Sequence, residues 1–411
     1  MRAQACSRAT GSHTERELRP PGRAADAVLL GLAVCAAPIS IALCEALLAG
    51  SLLFRVTALA RRRAKLYLPR TFRFWSAWAA LEVAVWLASP DRRAGQGEMR
   101  HLALVGTLFL VVPALERVAD RVAAWRGAAL GATLGSLFLI GHFVRQLVSY
   151  HGTSDPVLYL RSGGLLHHWM VYGTVEVVVF AGLLELWHFY PEHHRRLLPV
   201  LAVNAIAVVL SLTRMLWIAC VALLVLHLAW RRSRWILAVP PMLCALFFLV
   251  PGAVRSRLSD SVQPDYYSNS ERLQMLRVGW KMILDKPLTG VGPGRVEALY
   301  TQYLSAGEPV PAYHGHLHNN LVQLAAAFGL PTTIAAMVFT AVLFFDLRRR
   351  YLRAEDRDSR FLCRTSLLGL TGFLLAGMFD YTYGHSLGII LLGFAVLAPL
   401  APAPGEEIRE T

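Results

Sequence analysis

Residues 197–230 read LLPVLAVNAIAVVLSLTRMLWIACVALLVLHLAW, 34 residues bounded by Arg195 and Arg196 on one side and Arg231, Arg232 and Arg234 on the other. A helix needs about 20 residues to cross a hydrocarbon core, so the block is too long for one crossing and too short for two joined by a wide loop. Basic loops stay on the cytoplasmic side. The block therefore reads as a helical hairpin that enters and leaves on one side, with the Ser211-Leu212-Thr213-Arg214 stretch at its tip. Residues 27–60 repeat the pattern. They lie between a tail bearing Arg2, Arg8, Arg16, Arg19 and Arg23 and the cluster Arg61, Arg62, Arg63, Lys65, and Pro38 breaks them.

Further apolar spans are expected near residues 72–89, 99–115, 127–147, 168–187, 235–250, 319–345, 361–379 and 385–400. The expected fold class is an all-α, polytopic integral membrane protein with about 12 transmembrane helices and one large outer loop containing short amphipathic helices. The layout is a cytoplasmic tail at 1–26, transmembrane helices 1–9 at 27–250, an outer loop at 251–318, helices 10–12 at 319–400 and a tail at 401–411. Arg348, Arg349 and Arg350 fall in an inner loop at 346–360, as the charge rule requires. Arg92 and Arg93, in an outer stretch at 90–98, are a small violation.

Composition agrees: 55% of the residues are hydrophobic, 17% are charged and the mean hydropathy is +0.45, against about 25% charged in soluble domains. A soluble enzyme is excluded, and without alternating ten-residue strands so is a porin-type barrel. The polar, Arg-rich N-terminal stretch has no A-x-A-like cleavage site, so the first apolar block is expected to be a retained anchor. The net charge of +14 sits mostly in short loops that orient helices, which argues against nucleic acid as a partner. Cys6, Cys35, Cys44, Cys220, Cys244 and Cys363 have no C-x-x-C spacing and read as small core residues.

The outer loop at 251–318 is the exception to the charge rule: it carries Arg255, Arg257, Arg272, Arg277, Lys281, Lys286 and Arg295. Long loops translocate regardless of charge, and a site for an anionic substrate is the alternative. Within the loop, Ser270 to Leu284 has apolar residues at Leu273, Leu276, Trp280, Ile283 and Leu284. An amphipathic helix lying on the membrane is expected, with Ser270 as its N-cap. The glycines at 290–294 lack the Lys-Ser/Thr of a phosphate-binding loop and read as a plain turn.

Where the loop meets a membrane helix stands His314-Gly315-His316-Leu317-His318-Asn319-Asn320. Three readings are open. The histidines could ligate a metal, although no Cys or carboxylate stands nearby in sequence. Asn319 or Asn320 could cap the helix, with the histidines merely wet. One histidine could act as a general base, because imidazole titrates near neutral pH. Arg214, at the hairpin tip among apolar residues, either snorkels to the interface or binds an anion such as a lipid diphosphate. Glu45, Glu82, Arg145, Glu176, Glu185 and Asp380, in or beside spans, are expected mainly to pair between helices or to snorkel.

In order, the chain presents S-L-T-R, then N-S-E-R-L-x-M-x-x-x-G-W at 269–280, D-K-P-L-T-G-V-G-P-G at 285–294 and H-L-H-N-N-L-V-Q-L-A-A-A-F-G-L at 316–330. With R-S-G-G at 161–164 and H-W-M-V-Y-G at 168–173, this resembles the O-antigen ligase and polymerase superfamily of GT-C type bacterial inner-membrane glycosyltransferases. The resemblance covers residues 161–345 by motif. It implies an undecaprenyl diphosphate-linked glycan donor, a lipid A-core or other glycan acceptor, an active site facing the periplasm and no cofactor or metal. It implies His318 as the catalytic base and Arg214 and Arg272 as the diphosphate-binding residues, with His316, Asn319, Arg277, His314 and His168 as supporting or substrate-binding residues. Ligase activity is the preferred expectation; a repeat-unit polymerase and a protein O-oligosaccharyltransferase share the motifs. A transporter is the distant alternative and would predict internal repeats, which the sequence lacks. Many members carry an acidic residue before the Gly of the last motif. Here Ala327-Phe328-Gly329 stands instead, so a helper carboxylate is either missing or supplied from elsewhere.

Overall fold

The computed structural model describes residues 24–152, 155–263, 266–311 and 313–402. Cys6 and the expected tails at 1–23 and 403–411 lie outside the described residues. The described chain is helical, without strands. Its first half contains α1 (Ala25–Ala36), α2 (Ile41–Ala60), α3 (Thr71–Ala88), the short α4 (Arg92–Gly95), α5 (Arg100–Val111), α6 (Val118–Val148), the short α7 (Pro156–Leu160), α8 (Trp169–Phe189) and α9 (His194–Leu210). The second half contains α10 (Arg214–Trp230), α11 (Val239–Leu249), α12 (Gly252–Ser261), α13 (Tyr267–Asp285), the short α14 (Val296–Leu299), α15 (Asn320–Phe328), α16 (Leu330–Arg353), α17 (Arg357–Ala376) and α18 (Ser386–Leu397).

Both 34-residue blocks are two helices each. In the first, Pro38 sits between α1 and α2, whose side chains pack along each other, and Ser40 caps α2 by accepting from the Leu43 N–H at 3.3 Å. In the second, α9 ends at Leu210, Leu212 takes a left-handed φ of +53°, and α10 begins at Arg214. The legs then splay, α9 leaning on α6 and α10 on α8 and α17. The bundle is centred on α8, α17 and α18, which are buried along most of their length. Among the described residues four helices, α2, α6, α8 and α16, are long and apolar enough to cross a membrane. The shorter apolar ones are α1, α5, α10, α11 and α18, with 3-10 turns extending α5, α11 and α18.

The apolar stretch at 319–345, expected as one span, is broken into α15 and α16. Gly329 sits at the break with φ +83°, and a Cβ there would come within 2.3 Å of the Leu288 carbonyl oxygen. That contact exists because the 287–292 turn is stitched to the end of α15. Leu330 N–H donates to Pro287 O (2.8 Å), Val291 N–H to Ala326 O (2.8 Å) and Gly292 N–H to Ala327 O (3.1 Å). The turn's amides are therefore spent on protein, and the glycines serve close approach. Gly329→Ala is expected to cost about 1–3 kcal/mol for the forced left-handed backbone, read as a lowered unfolding midpoint of the purified protein. An unchanged midpoint would contradict the stitched turn.

Helix α13 begins one turn earlier than expected, and Ser270 is not its cap: the Ser270 hydroxyl donates to Tyr267 O at 2.9 Å inside the helix. Met275, Val278 and Met282 face inward. Gly279 lets Leu317 and Val322 approach the α13 backbone, which seats α15 against it. Leu273, Trp280 and Leu284 are exposed on the opposite face.

Candidate functional site

Each residue of the histidine motif has a local task. His318 holds φ +48°, a conformation that is costly for a residue with a Cβ. It is fixed from both sides. Leu317 N–H donates to Gln323 Oε1 (2.9 Å), while Asn319 Oδ1 accepts from the N–H groups of Leu321 (3.0 Å) and Val322 (3.1 Å) and so caps α15. Asn320 clasps the link between α17 and α18: its Nδ2 donates to Thr382 Oγ1 and its Oδ1 accepts from Thr382 N–H, both at 2.8 Å. Its own N–H donates to Gly377 O at 2.7 Å.

That clasp delivers Asp380. The carboxylate is fully buried and engages histidines with both oxygens: His318 Nδ1 lies 3.1 Å from Oδ1 and His385 Nε2 lies 3.0 Å from Oδ2. His316 Nε2 stands 3.9 Å from Oδ1. Burial pushes the carboxyl up, but the hydrogen bonds from His318 and His385 outweigh it and hold Asp380 below the usual carboxylate range. The sequence offered no carboxylate near the histidines, and Asp380 corrects that reading: the chain brings one from 62 positions away. His316, His318 and Asp380 present ligand atoms within 4.8 Å of one another, a set able to hold a metal ion.

Burial, followed by the neighbouring His318, presses the His316 imidazole down to about 3. A histidine whose folded pKa lies below its unfolded value of about 6.5 contributes stability that is complete above that value. The contribution is lost as pH falls through the window down to about 3. Acidification from pH 6 to pH 4 is expected to destabilise the fold through His316 by up to about 1.4 kcal/mol per pH unit. His316→Gln should flatten that slope in unfolding titrations; an unaltered slope would refute the burial of a neutral imidazole. His168 caps α8 through Nδ1, which accepts from Met170 N–H at 3.3 Å. Its pKa is also lowered, by burial and then by the charge of His385.

Beside the histidines opens a cavity of about 1040 Å³, with His318, Arg214, Arg272 and Asn269 at one end. The rest of its wall is apolar apart from Ser261, from Ile218 and Val221 on α10 to Leu243 and Leu246 on α11. Arg214 donates to Ser268 Oγ (3.0 Å) and to Asn269 Oδ1, tying the hairpin tip to the start of α13. Arg257, which is buried, and Arg161, which is half-buried, add their charge to this cluster. The Arg161 guanidinium lies 4.5 Å from the centroid of the Trp169 ring, and Arg257 donates to Tyr266 Oη at 3.3 Å. Among the described residues none of these four arginines is ion-paired with a carboxylate. Burial, then the charges of Arg257, Arg272 and Arg214, lower the Arg161 pKa to about 9. Burial likewise lowers Arg272, against the pull of Asp380. Such uncompensated positive charge is suited to an anion with several oxygens.

Of the residues singled out from sequence, His318, His316, Arg214 and Arg272 come together at this site, and His168 is close enough to feel the charges of His385 and Asp380. Asn319 is a helix cap. Arg277 points away and pairs with Glu308 at 3.4 Å. His314 lies apart as well, its Nδ1 against Pro311 O at 3.1 Å and its ring on Tyr300. Three of the six span charges pair between helices: Glu45 with Arg100, Glu82 with His101 at 2.9 Å, and Glu185 with Arg364 (3.0 Å) and His227 (2.7 Å). Asp380, grouped with them by sequence, belongs to the site, and so do His385, Arg161 and Arg257. The sequence signals for these were a polar residue stranded in an apolar run for Asp380, the R-S-G-G motif for Arg161 and the excess of basic residues in the outer loop for Arg257.

Residues 199–337 match the family model described as O-antigen ligase. The match runs from α9 through the hairpin tip, α13 and His318 into α16, and supports membership of the O-antigen ligase and polymerase superfamily. The match supports a function of the O-antigen ligase/polymerase type in general, a family whose members are glycosyltransferase-like enzymes. No curated protein matches the chain.

Proposed function

We propose that this chain of the O-antigen ligase and polymerase superfamily is a ligase, transferring a glycan from undecaprenyl diphosphate to a hydroxyl of lipid A-core at the periplasmic face of the inner membrane. The observation that carries the reading is the lining of one cavity: His318, hydrogen-bonded to Asp380, and two arginines share it with a predominantly apolar wall. An amphiphile with an anionic head and a long apolar tail matches both parts. In this reading about 12 helices cross the membrane and the loop at 251–318 lies outside.

The chemistry follows from the side chains. The acceptor oxygen attacks the anomeric carbon and its proton passes to His318 Nε2, the nitrogen left free because Nδ1–H donates to Asp380. The bond from the anomeric carbon to the diphosphate oxygen breaks, and its electron pair leaves with the lipid diphosphate. Arg214 and Arg272 receive that charge as planar, permanently ionised donors, so no divalent metal is needed. Attack opposite the leaving group inverts the anomeric centre.

The test is complementation of a ligase-null strain that makes a lipid-linked O-polysaccharide, scored by the lipopolysaccharide ladder, with wild type beside His318→Ala. A ladder restored by wild type alone supports ligase activity. A ladder restored instead in a polymerase-null strain would assign repeat-unit polymerisation, and purified enzyme inactivated by chelator would overturn metal independence.

A further inference from the structure

At the end of the bundle opposite His318, a hollow of about 300 Å³ opens between α6, α8 and α9. Its floor is apolar, with Ala129, Leu130, Leu197 and Val200, and Arg126 and Arg196 stand at its rim. Both arginines are exposed, and among the described residues neither has a carboxylate partner. The carboxylates at this corner are engaged elsewhere: Glu192 with Arg357 at 2.7 Å, and Asp358 as acceptor from Tyr190 Oη at 2.7 Å. Arg126 lies 4.7 Å from the centroid of the Tyr190 ring, which fixes one guanidinium at the edge of the hollow. From Arg126 an apolar row climbs α6 at one-turn spacing through Leu130, Leu134 and Phe138, each more than half exposed.

We propose that this hollow binds a glycerophospholipid with an anionic head group, its phosphate between Arg126 and Arg196 and an acyl chain along Leu130 and Leu134. Guanidinium forks match phosphate oxygens, and basic pockets between helices at a membrane face take anionic lipid head groups. The uncompensated charge calls for an anion, and the apolar row continuing from it calls for that anion to carry a chain. The site is independent of glycan transfer.

Full-length protein in mild detergent, stripped of lipid, is measured by native mass spectrometry and thermal unfolding with phosphatidylglycerol, phosphatidylcholine or inorganic phosphate. Wild type is expected to retain phosphatidylglycerol and to gain thermal stability from it, with weaker retention of phosphatidylcholine and no stabilisation by phosphate. Arg126→Gln/Arg196→Gln should bind phosphatidylglycerol about tenfold less or weaker still. Arg348→Gln/Arg349→Gln, at the same end of the bundle but outside the hollow, should bind it as wild type does. Equal binding by the first pair, or an equal loss in both pairs, would overturn the site in favour of general charge attraction. Stabilisation by inorganic phosphate equal to that by the lipid would overturn the chain-binding trough. Should the first pair fail to fold, Leu134→Gln at its exposed position carries the test, and undiminished lipid retention there would count against the proposal.

Discussion

Asp380→Asn is expected to lower glycan transfer by about 10²–10⁴-fold, the range lost when general base catalysis fails. The protein should remain folded and still bind its lipid-linked donor. A carboxylate only accepts, so it forces His318 to carry its proton on Nδ1 and leaves Nε2 free for the acceptor hydroxyl. An Asn amide has one accepting and one donating atom, and Asp380 faces two histidines, His318 and His385. One of them must then face an N–H group. If that one is His318, its proton moves to Nε2 and the base is lost. His318→Ala should fall by a similar factor, and the double variant should be little worse than either single one, because the pair acts as a unit. The check is turnover of purified enzyme with saturating donor. An Asp380→Asn variant within threefold of wild type would remove Asp380 from the reaction.

The second large effect belongs to the arginines. Arg272→Ala and Arg214→Ala should each cost about 10²–10³-fold in turnover, the usual loss when one donor to a developing oxyanion is deleted. Lysine should rescue only in part, since it restores charge without the planar fork. Arg272 is the cleaner probe, because Arg214 also anchors α13 through Ser268 and Asn269. Its replacement should therefore lower the unfolding midpoint, whereas that of Arg272 should not. Wild-type turnover in Arg272→Ala would send the diphosphate elsewhere, with Arg161 and Arg257 next in line.

Sequence made the hairpins legible because hydropathy and flanking charge are local quantities: Pro38 and the 211–214 tip fall where the blocks were divided. The break at Gly329 was hidden inside one apolar stretch, because hydropathy carries no information about a left-handed φ or a contact with the Leu288 carbonyl. The site was half legible. His316 and His318 stand in one recognisable run, and Arg214 was conspicuous as a charge among apolar neighbours. Asp380 was not, because its partnership with His318 is made by the Asn320–Thr382 clasp, a contact across 62 positions. Arg161 and Arg257 converge only after α7 and α12 pack together. Ser270 was misread as a cap because its hydroxyl serves the turn before it.

The wall between α10 and α11 has a kinetic consequence. α11 exposes Met242, Phe248 and Leu249 on its outer side while Leu243 and Leu246 line the cavity. A tailed donor reaching His318 along that wall arrives by lateral travel within a two-dimensional fluid, not from bulk water. Its encounter rate is then governed by its mole fraction among neighbouring amphiphiles. Adding inert detergent at constant donor molarity thins the substrate and slows the enzyme, a surface-dilution effect that a water-fed active site does not show.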